Sequence, residues 1–512
     1  MLVKVYGSAV FGVEATTITV EVNIDKGIAY HLVGLPDSAI KESSFRISGA
    51  IKNSGYKFPG KKITINMAPA DLRKEGSAYD LALALGILAA SGQIDPGPLE
   101  RFVIMGELSL DGSLNPIKGA LPIAIQAKKD GFKGLILPEL NGREAAVVDG
   151  IRIYAMKNIL EVIDLMKDET SMKPMRLDIQ KEYYDKIDDD DLDFADVKGQ
   201  ETIKRCMEIA AAGGHNIILI GPPGSGKTML AKRLPTILPP MSLAEALETT
   251  KIHSVVGKLG KEGGLMYKRP FRAPHHTISD VALVGGGSYP QPGEISLSHN
   301  GVLFLDELPE FKRSVLEVMR QPLEDREVTI SRSRFTVTYP SSFMLVASMN
   351  PSPGGFFVDR DKVSNATVME AKRYLGKISG PLLDRIDLHI ELQPVPFEKL
   401  SDKSTGERSE VIRSRVRAAR DKQAKRFGSR NDIHYNAQMN VKQIRAYCKL
   451  GMSSEAMLKQ SMTHLRLSAR AYDRILKVAR TIADLSSAEH ILTEHLAEAI
   501  QYRSLDREGW LG

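Results

Sequence analysis

The sequence predicts an α/β protein in which a parallel-sheet core follows a mixed α/β region and precedes a helical region. Between Phe194 and Gln393, apolar strands alternate with helices, which is the arrangement that a parallel sheet requires. Near the N-terminus, residues 18–24 alternate apolar and polar side chains, as in a strand with one buried face. Between Val441 and Tyr502, apolar residues recur at helical spacing with arginines between them, which predicts packed helices.

The composition is that of a soluble globular protein. Hydrophobic residues make up 43% of the 512 residues and charged residues 26%, which excludes a disordered or fibrous chain. The net charge of +6 favours a polyanionic partner only weakly. The two cysteines, Cys206 and Cys448, cannot build a disulfide framework, and the most apolar stretch, Leu81–Ala90, is too short to cross a membrane. The N-terminus lacks the pattern of a secretory signal, so we expect a cytoplasmic protein without membrane contact.

Changes in composition divide the chain into four predicted segments. Residues 1–168 form one α/β domain, and residues 169–193 contain an acidic run that we interpret as a solvated linker, although such a run can also contact a basic partner. Residues 194–395 form the parallel-sheet core, and residues 396–512 form a basic linker followed by helices. In the first domain the predicted strands are 18–24, 62–67, 101–107 and 134–137, and the predicted helices are 40–51 and 79–90.

A glycine-rich loop in the core predicts a nucleotide site. Gly221-Pro-Pro-Gly-Ser-Gly-Lys-Thr228 fits the pattern G-x-x-x-x-G-K-S/T throughout, after an apolar strand and before a helix. The glycines let successive backbone N–H groups face phosphate oxygens, and the helix N-terminus favours the anion. Lys227 is expected to reach the β- and γ-phosphates of ATP, and Thr228 to ligate Mg²⁺. The predicted nucleotide-binding residues of the loop are Gly221, Pro222, Pro223, Gly224, Ser225, Gly226, Lys227 and Thr228.

Two further strands end in polar residues that suit ATP hydrolysis. The apolar strand 301–305 ends in Asp306 and Glu307. We expect Asp306 to hold the Mg²⁺ shell, and Glu307 to orient or deprotonate the attacking water. The strand 343–349 ends in Asn350, which suits a water-positioning role near the γ-phosphate, although an asparagine at a strand end is often a turn former.

An arginine flanked by acidic residues precedes the last predicted strand of the core. In Gly380-Pro-Leu-Leu-Asp-Arg-Ile-Asp387, Arg385 is placed to act as a finger that stabilises transition-state charge at a neighbouring subunit. A local ion pair with Asp384 or Asp387 is the alternative role.

Together these segments resemble AAA+ ATPases. Phe271-Arg-Ala-Pro-His-His-Thr-Ile-Ser279 and Gly380–Asp387 resemble the magnesium-chelatase-like branch, and the chain as a whole resembles the ComM/YifB family. The resemblance implies an ATPase core, a helical lid and a ring-shaped, hexameric assembly. It also implies that residues 194–200 line an adenine pocket and that Arg470, in Ser468-Ala-Arg470, touches the γ-phosphate. A surface arginine is the alternative for Arg470.

Two insertions typical of this branch are expected in the core. Residues 327–330 and 335–338 form the predicted strands of a hairpin around Ser331-Arg-Ser-Arg334, and residues 285–293 a flexible loop. By resemblance, both point into the central pore of the ring, where Arg332 and Arg334 would follow a DNA phosphate backbone. A solvated turn is the alternative role of the hairpin tip.

His275 and His276 raise the question of a metal site. No cysteine cluster lies near them, so we interpret the pair as structural. Relatives often carry cysteines just after the position of Asn350, with the look of a zinc site. This chain has Pro-Ser-Pro-Gly-Gly-Phe at residues 351–356, so no structural zinc is expected there.

The N-terminal domain resembles Lon-type proteases in the segments Lys74–Asp80 and Gly106–Gly119. A Ser–Lys dyad needs a hydroxyl close to a lysine that acts as base. By this resemblance the nucleophile position falls on Ala78 and the lysine position on Leu121, while Ser77 and Lys118 lie nearby but out of register. The domain is therefore predicted to be Lon-like in fold and inactive as a protease. Its resemblance to inactive domains in a recombination ATPase of the RadA type implies a scaffold that faces DNA.

The sequence leaves three functions open. A ring-forming, ATP-driven DNA motor accounts for the ATPase residues, the basic hairpin and the inactive domain. Such a motor would act on single-stranded or branched DNA, as a helicase or in branch migration during recombination or transformation. A chelatase-type subunit that remodels a protein partner is the second function, although such subunits generally lack the Lon-like domain. An ATP-dependent protease is the third and requires a dyad that uses Ser77.

Overall fold

The computed structural model of the chain describes residues 1–186, 192–259, 263–287, 289–332, 335–352, 373–374, 376–395, 406–428, 433–465 and 467–503. Its contacts divide the chain into two units, which are Met1–Lys186 with Ser242–Tyr267 and Ile187–Met241 with Lys268–Gly512. No helix among these residues is long and apolar enough to span a lipid bilayer.

The first unit is built on a mixed β-sheet. Its strands are β1 (Leu2–Phe11), β2 (Glu14–Asp25), β3 (Ala29–Val33), β4 (Lys62–Ala68), β5 (Phe102–Ile104), β8 (Gly134–Pro138) and β9 (Arg152–Met156), and β6 (Glu107–Leu108) and β7 (Leu114–Asn115) form a separate pair. The order in the sheet is β3-β4-β2-β1-β5-β8-β9, with β2 antiparallel to β1 and β4 and the other neighbours parallel. Ile18, Val20 and Val22 of β2 are fully buried, which confirms the predicted alternation.

Helices cover this sheet. They are Ser38–Asn53, Asp80–Ala90, Ala120–Lys129, Gly142–Ala145, Ile159–Lys167, Ile179–Lys186 and Leu243–Val256. Asp80–Ala90 is buried at every residue, because it lies between the strands and the helix Ser38–Asn53. The predicted strand 101–107 is broken, since β5 ends at Ile104 and the Gly106 N–H donates to the Ala78 carbonyl at 2.7 Å.

One segment of the first unit comes from the predicted core. Residues 242–267 fall inside the predicted core segment 194–395, but the helix Leu243–Val256 packs on Ala120–Lys129. The Gly119 N–H donates to the Ser254 carbonyl at 3.0 Å, and the Ser254 hydroxyl donates to the buried carboxylate of Glu144. Composition along the chain cannot detect this excursion, because the residues that bury the helix are more than a hundred positions away.

The second unit contains a parallel sheet and two small hairpins. The strands of the sheet are β10 (Ile217–Ile220), β11 (Phe271–Arg272), β14 (Val302–Leu305), β17 (Met344–Met349) and β18 (Leu388–Glu391), in the order β11-β14-β17-β10-β18. Every neighbouring pair among them is parallel, which confirms the predicted parallel core. The hairpins are β12 (Gly285–Gly286) with β13 (Gln291–Pro292), and β15 (Glu327–Arg332) with β16 (Phe335–Pro340).

Helices flank this sheet and follow it in sequence. Those of the core are Glu201–Gly213, Lys227–Ile237, Asp280–Val284, Glu294–Leu297, Arg313–Val318, Arg320–Asp325 and Gly380–Leu383. Those of the C-terminal region, called the lid below, are Ser409–Phe427, Val441–Tyr447, Met452–His464, Ala469–Leu485 and Thr493–Gln501. Ala469–Leu485 buries Ile475, Val478, Ala479 and Ile482 against its neighbours, as the helical spacing predicts.

Candidate nucleotide-binding and hydrolysis site

The carboxyl ends of the central strands bring the predicted ATP-site residues together. The loop 221–228 follows β10, Asp306 and Glu307 follow β14, and Asn350 follows β17. Because these strands are neighbours and parallel, their carboxyl ends lie at one edge of the sheet, where α/β proteins bind ligands. This edge is called the P-loop edge below.

Lys227 is held inside the loop. Its Nζ donates to the carbonyls of Gly221 at 2.6 Å and Pro222 at 2.9 Å, and to Asn350 Oδ1 at 3.2 Å. Burial lowers the pKa of this ammonium, and the nearby carboxylates of Asp306 and Glu307 oppose that shift. These hydrogen bonds fix a positive charge between the loop and the end of β17.

The loop backbone has the form that a phosphate requires. Gly224 and Gly226 have φ angles of +78° and +87°, and a side chain added at Gly224 would meet no atom within 4 Å. Ser225 Oγ is buried and has no hydrogen-bond partner among the described residues. The helix Lys227–Ile237 begins directly at the loop, so its N-terminal N–H groups favour an anion there. These features fit the β- and γ-phosphates of a nucleotide.

Thr228 and Asp306 form a set of oxygen ligands. The Thr228 hydroxyl donates to Asp306 Oδ2 at 2.9 Å, and the Ser348 hydroxyl donates to Asp306 Oδ1. Hydroxyl and carboxylate oxygens are the ligands that Mg²⁺ prefers, so these residues fit that ion. Sequence reasoning missed Ser348, for which the available signal was a hydroxyl within the otherwise apolar strand 344–349.

Glu307 has an unusual backbone conformation. Its φ angle is +54°, in the left-handed region that few residues other than glycine adopt, and its N–H donates to Ser348 Oγ at 3.2 Å. Strained residues of this kind cluster at functional sites. The carboxylate side chain is 51% exposed, so solvent reaches it.

The two adjacent histidines contact different groups. His276 Nδ1 lies 3.8 Å from Glu307 Oε2, whereas His275 Nδ1 lies 2.9 Å from Thr277 Oγ1. In the described part of the chain, no group of three or more His, Cys, Asp or Glu side chains is arranged to hold a metal ion. The interpretation of the pair as structural missed the proximity of His276 to the predicted catalytic carboxylate.

Arg385 lies at the opposite edge of the sheet from the loop of its own chain. It precedes β18, and its carbonyl accepts from Asn216 Nδ2 at 3.0 Å, where β10 begins. The length of β10, about 13 Å at 3.3 Å per residue, separates this edge from the loop. Nη1 donates to the Pro381 carbonyl at 2.7 Å, and Nη2 contacts Glu324, whose pKa this guanidinium lowers. Asp384 and Asp387 are therefore not its ion-pair partners.

Arg470 lies with Arg385 rather than with the loop. Its Nη1 pairs with Asp384 Oδ2 at 2.6 Å, and its side chain is 68% exposed. Arg470 therefore lies at the edge opposite the loop of its own chain, and its contact with a γ-phosphate stays a prediction. The physical reason is that the lid helix Ala469–Leu485 begins beside residues 384–387, so its first turn faces the edge opposite the P-loop edge.

Residues 194–200, which are predicted to line the adenine pocket, pack beside the helix Lys227–Ile237 that follows the loop. Arg233 of that helix donates to the Asp193 carbonyl at 2.8 Å and pairs with Asp196 at 2.9 Å. Gln200 Nε2 donates to the Gln393 carbonyl at 2.9 Å, just beyond the carboxyl end of β18. Residues 194–200 thus lie at the same edge as the loop.

The predicted basic hairpin is present. β15 pairs with β16 from Glu327↔Pro340 to Arg332↔Phe335. Val328, Ile330, Val337 and Tyr339 are buried on one face, and Arg332 is exposed at the tip, whereas Arg334 lies outside the described residues. The predicted flexible loop 285–293 contains the pair β12–β13, and Tyr339 Oη donates to its Pro290 carbonyl at 2.7 Å.

Comparison with known proteins covers nearly all of the chain. Residues 193–400 match the family described as magnesium chelatase, subunit ChlI; residues 20–141 match subunit ChlI of Mg-chelatase; and residues 406–503 match the ChlI C-terminal family. The chain is 44% identical over 507 residues to the uncharacterized protein YifB of Escherichia coli, covering 98% of this chain and 97% of that protein. It is also 44% identical over 516 residues to competence protein ComM of Haemophilus influenzae, covering 99% and 98%.

The chain belongs to the ComM/YifB family. Membership confirms the resemblance to AAA+ ATPases with ChlI-like domains. ChlI-like AAA+ proteins are ATPases that use a nucleotide and Mg²⁺, which agrees with the phosphate-binding features of the P-loop edge.

A second, partial similarity concerns the N-terminal region. Lon protease 2 of Bacillus subtilis is 34% identical over 149 residues, which is 28% of this chain and 26% of that protein. In the structure, the Ser77 hydroxyl donates to Glu107, the side chain of Lys118 is exposed, and Leu121 is fully buried. The described hydrogen bonds therefore pair Ser77 with a carboxylate, and the position expected for the Lon lysine is part of the apolar interior.

Proposed function

We propose that this protein binds Mg²⁺–ATP at the P-loop edge, hydrolyses it within a ring of subunits and uses the energy to move along DNA. The observation that carries the proposal is the division of the predicted catalytic set between two edges of one sheet. Lys227, Thr228 and Asp306 meet at the P-loop edge, whereas Arg385 and Arg470 lie at the other. Such a set is completed when the far edge of one subunit meets the P-loop edge of the next.

Hydrolysis at this site needs positioning and charge stabilisation. Mg²⁺ held by Thr228 and Asp306 would neutralise charge on the β- and γ-phosphates. The water oxygen attacks the γ-phosphorus while Glu307 accepts a proton from that water. The bond between the γ-phosphorus and the bridging oxygen of the β-phosphate breaks, which gives ADP and phosphate. Asn350 orients that water, and its hydrogen bond with Lys227 couples it to the loop.

The neighbouring subunit supplies the remaining positive charge. Arg470 is largely exposed and retains donors for an incoming phosphate, whereas Arg385 would reach a phosphate by exchanging the exposed carboxylate of Glu324 for it. When one edge of each subunit binds a different edge of the next, the subunits form a ring if the successive rotations bring the last subunit back to the first. A hexamer is the assembly that the AAA+ relationship supports.

DNA is the polymer along which the protein is proposed to move. Arg332 is exposed at the tip of the hairpin β15–β16, and Arg334 follows it two positions later in the sequence. Arginines that line a channel bind the phosphate backbone without sequence preference. The name of the relative ComM, a competence protein, suggests a role in transformation. The activity that we propose for such a role is that of a helicase or of branch migration.

A chelatase-type subunit that remodels a protein partner is the second candidate. The matches to ChlI families over all three parts of the chain favour it. The two candidates differ in what accelerates ATP hydrolysis, because a DNA motor responds to DNA and a chelatase-type subunit to its partner protein.

Lys227→Ala is expected to raise the Kd for ATP about 10- to 100-fold, because it removes charge-assisted hydrogen bonds worth about 1.5–3 kcal/mol. Hydrolysis should fall below detection, since the same ammonium contacts the phosphates in the transition state. Titration with a fluorescent ATP analogue measures the Kd. Lys232→Ala is the matched control, because Lys232 is exposed on the same helix. Equal affinity in the two variants would contradict the assignment of Lys227.

Single-stranded or branched DNA is expected to stimulate ATP hydrolysis by the wild-type protein. The association constant for DNA falls as salt rises. Arg332→Ala should make the slope of its logarithm against the logarithm of the salt concentration less steep, by about 0.7 for each phosphate of single-stranded DNA that Arg332 neutralises. A salt titration of DNA binding by fluorescence anisotropy measures this slope. Arg417→Ala, which removes an exposed arginine of the lid helix Ser409–Phe427, is the control and should leave the slope unchanged. Absence of stimulation by every DNA tested would favour the chelatase-type candidate.

A further inference from the structure

Two arginines of the lid grip the short segment that contains Arg385. Arg470 and Arg474 are four residues apart on the helix Ala469–Leu485, so they project from one face. Arg470 pairs with Asp384 at 2.6 Å, and Arg474 pairs with Asp387 at 2.9 Å. These two aspartates flank Arg385 on both sides in sequence.

A second connection, called the relay below, joins Asp387 to the lid helix through the buried side chains of His215 and Thr481. Asp387 Oδ2 lies 2.8 Å from His215 Nδ1, and His215 Nε2 lies 2.8 Å from Thr481 Oγ1, two turns further along the lid helix. All three side chains are buried. The lid helix therefore holds Asp387 twice, directly through Arg474 and indirectly through Thr481 and His215.

Neighbouring basic groups lower the pKa of the Asp387 carboxyl. Burial alone would raise the pKa of its carboxyl, but Arg474, His215 and Lys477 outweigh that effect and hold the pKa below its ordinary value. Asp387 Oδ1 lies 2.9 Å from Arg474 and has no hydrogen-bond partner among the described residues, so removal of Arg474 would leave this buried oxygen without its nearest cation. By contrast, Arg385 itself contacts the Pro381 carbonyl and Glu324, which is largely exposed.

We infer that Arg474 and His215 are positioning residues that orient Arg385 for the ATP site of the neighbouring subunit. The inference rests on the proposed function of Arg385 and adds that the lid of a subunit controls the arginine which that subunit donates. A displacement of the lid helix pulls on Asp387, which is two residues from Arg385. A movement of the lid helix would thereby change the orientation of Arg385.

Subunit mixing provides the test. Arg474→Gln should lower kcat for ATP hydrolysis about 10- to 100-fold, as misplacement of a catalytic group by about 1 Å does, with the Kd for ATP within about twofold of wild type. If the defect lies in the donated arginine, adding Lys227→Ala subunits should restore activity, because they carry an intact Arg385 beside a defective loop. Adding Arg385→Ala subunits should restore nothing, since neither variant then donates a working finger.

Control variants separate positioning from general structure. Arg480→Gln removes a lid arginine that is more deeply buried than Arg474 but pairs with Asp484 inside the lid. It should lower thermal stability without the complementation pattern of Arg474→Gln. His215→Gln, which disturbs the relay from the core side, should reproduce that pattern even if Arg474→Gln fails to fold.

Four outcomes would overturn the inference. The first three are wild-type kcat in Arg474→Gln and His215→Gln, restoration of Arg474→Gln by Arg385→Ala subunits, and the same pattern in Arg480→Gln. The fourth is that Lys227→Ala subunits fail to restore Arg474→Gln. The mixture of Arg385→Ala with Lys227→Ala subunits serves as the reference. If that mixture stays inactive, the proposed action of Arg385 across subunits fails; if it is active while Arg474→Gln stays unrestored by Lys227→Ala, the positioning inference alone fails.

Discussion

Replacing Arg385 by alanine is expected to lower kcat for ATP hydrolysis about 10³- to 10⁵-fold, the range that arginine fingers contribute to phosphoryl transfer. The Kd for ATP should change little, because Arg385 precedes β18 and lies at the edge opposite the loop of its own chain. Its ion pair with Glu324, a residue that is 66% exposed, contributes at most about 1 kcal/mol to stability, so the variant should fold. Steady-state hydrolysis and nucleotide titration measure the two quantities separately.

Arg320→Ala is the matched control for Arg385. Arg320 and Arg385 line the same cavity of about 540 Å³, but Arg320 pairs with Glu317, three residues earlier in the chain, at 2.8 Å. We expect near-normal hydrolysis in this control. An Arg385→Ala protein with wild-type kcat, or one that Lys227→Ala subunits cannot restore, would refute a finger that acts between subunits.

Replacing Glu307 by glutamine is expected to lower kcat about 10²- to 10⁴-fold, the usual contribution of a general base. Glutamine keeps the size of the side chain and removes the charge that accepts a proton from water. The backbone hydrogen bond to Ser348 and the proposed Mg²⁺ ligands, Thr228 and Asp306, are untouched, so ATP should still bind. Single-turnover hydrolysis and nucleotide titration test the two expectations, and the variant should accumulate in its ATP-bound form.

Glu310→Gln tests whether the effect is specific to Glu307. Glu310 lies three residues away and pairs with Lys377 at 3.2 Å, with both side chains about half exposed. It should retain most activity, because an exposed pair of this kind contributes little. Normal turnover in Glu307→Gln would exclude the proposed base and make His276, 3.8 Å from the Glu307 carboxylate, the next candidate.

Most secondary structure near the ATP site was predictable because it depends on neighbours in sequence. The apolar run 216–220, the glycines of the loop and the helix after them specify strand, turn and helix within a dozen residues. The hairpin of β15 and β16 was predictable for the same reason, since apolar and polar residues alternate along both of its strands. Both features are confirmed.

Features that depend on distant partners were not predictable. The excursion of residues 242–267 into the first unit reflects packing on a helix that lies more than a hundred residues earlier. Ser348 joins Asp306 only because β17 and β14 are neighbours, although 42 residues separate the two in sequence. Their spacing in the chain carries no signal of that hydrogen bond.

The sequence by itself determined the α/β fold class, the phosphate-binding loop and the carboxylates that follow a strand, since local backbone preferences and short patterns specify them. Only the tertiary structure decided which groups share an edge of the sheet. Strand order brings Lys227, Thr228, Asp306 and Asn350 together and separates them from Arg385 by the length of a strand. The position of the lid helix then pairs Arg470 with Asp384, at the edge opposite the loop. The physical reason is that long-range packing, which a linear pattern does not encode, fixes the direction in which each strand end and helix end faces.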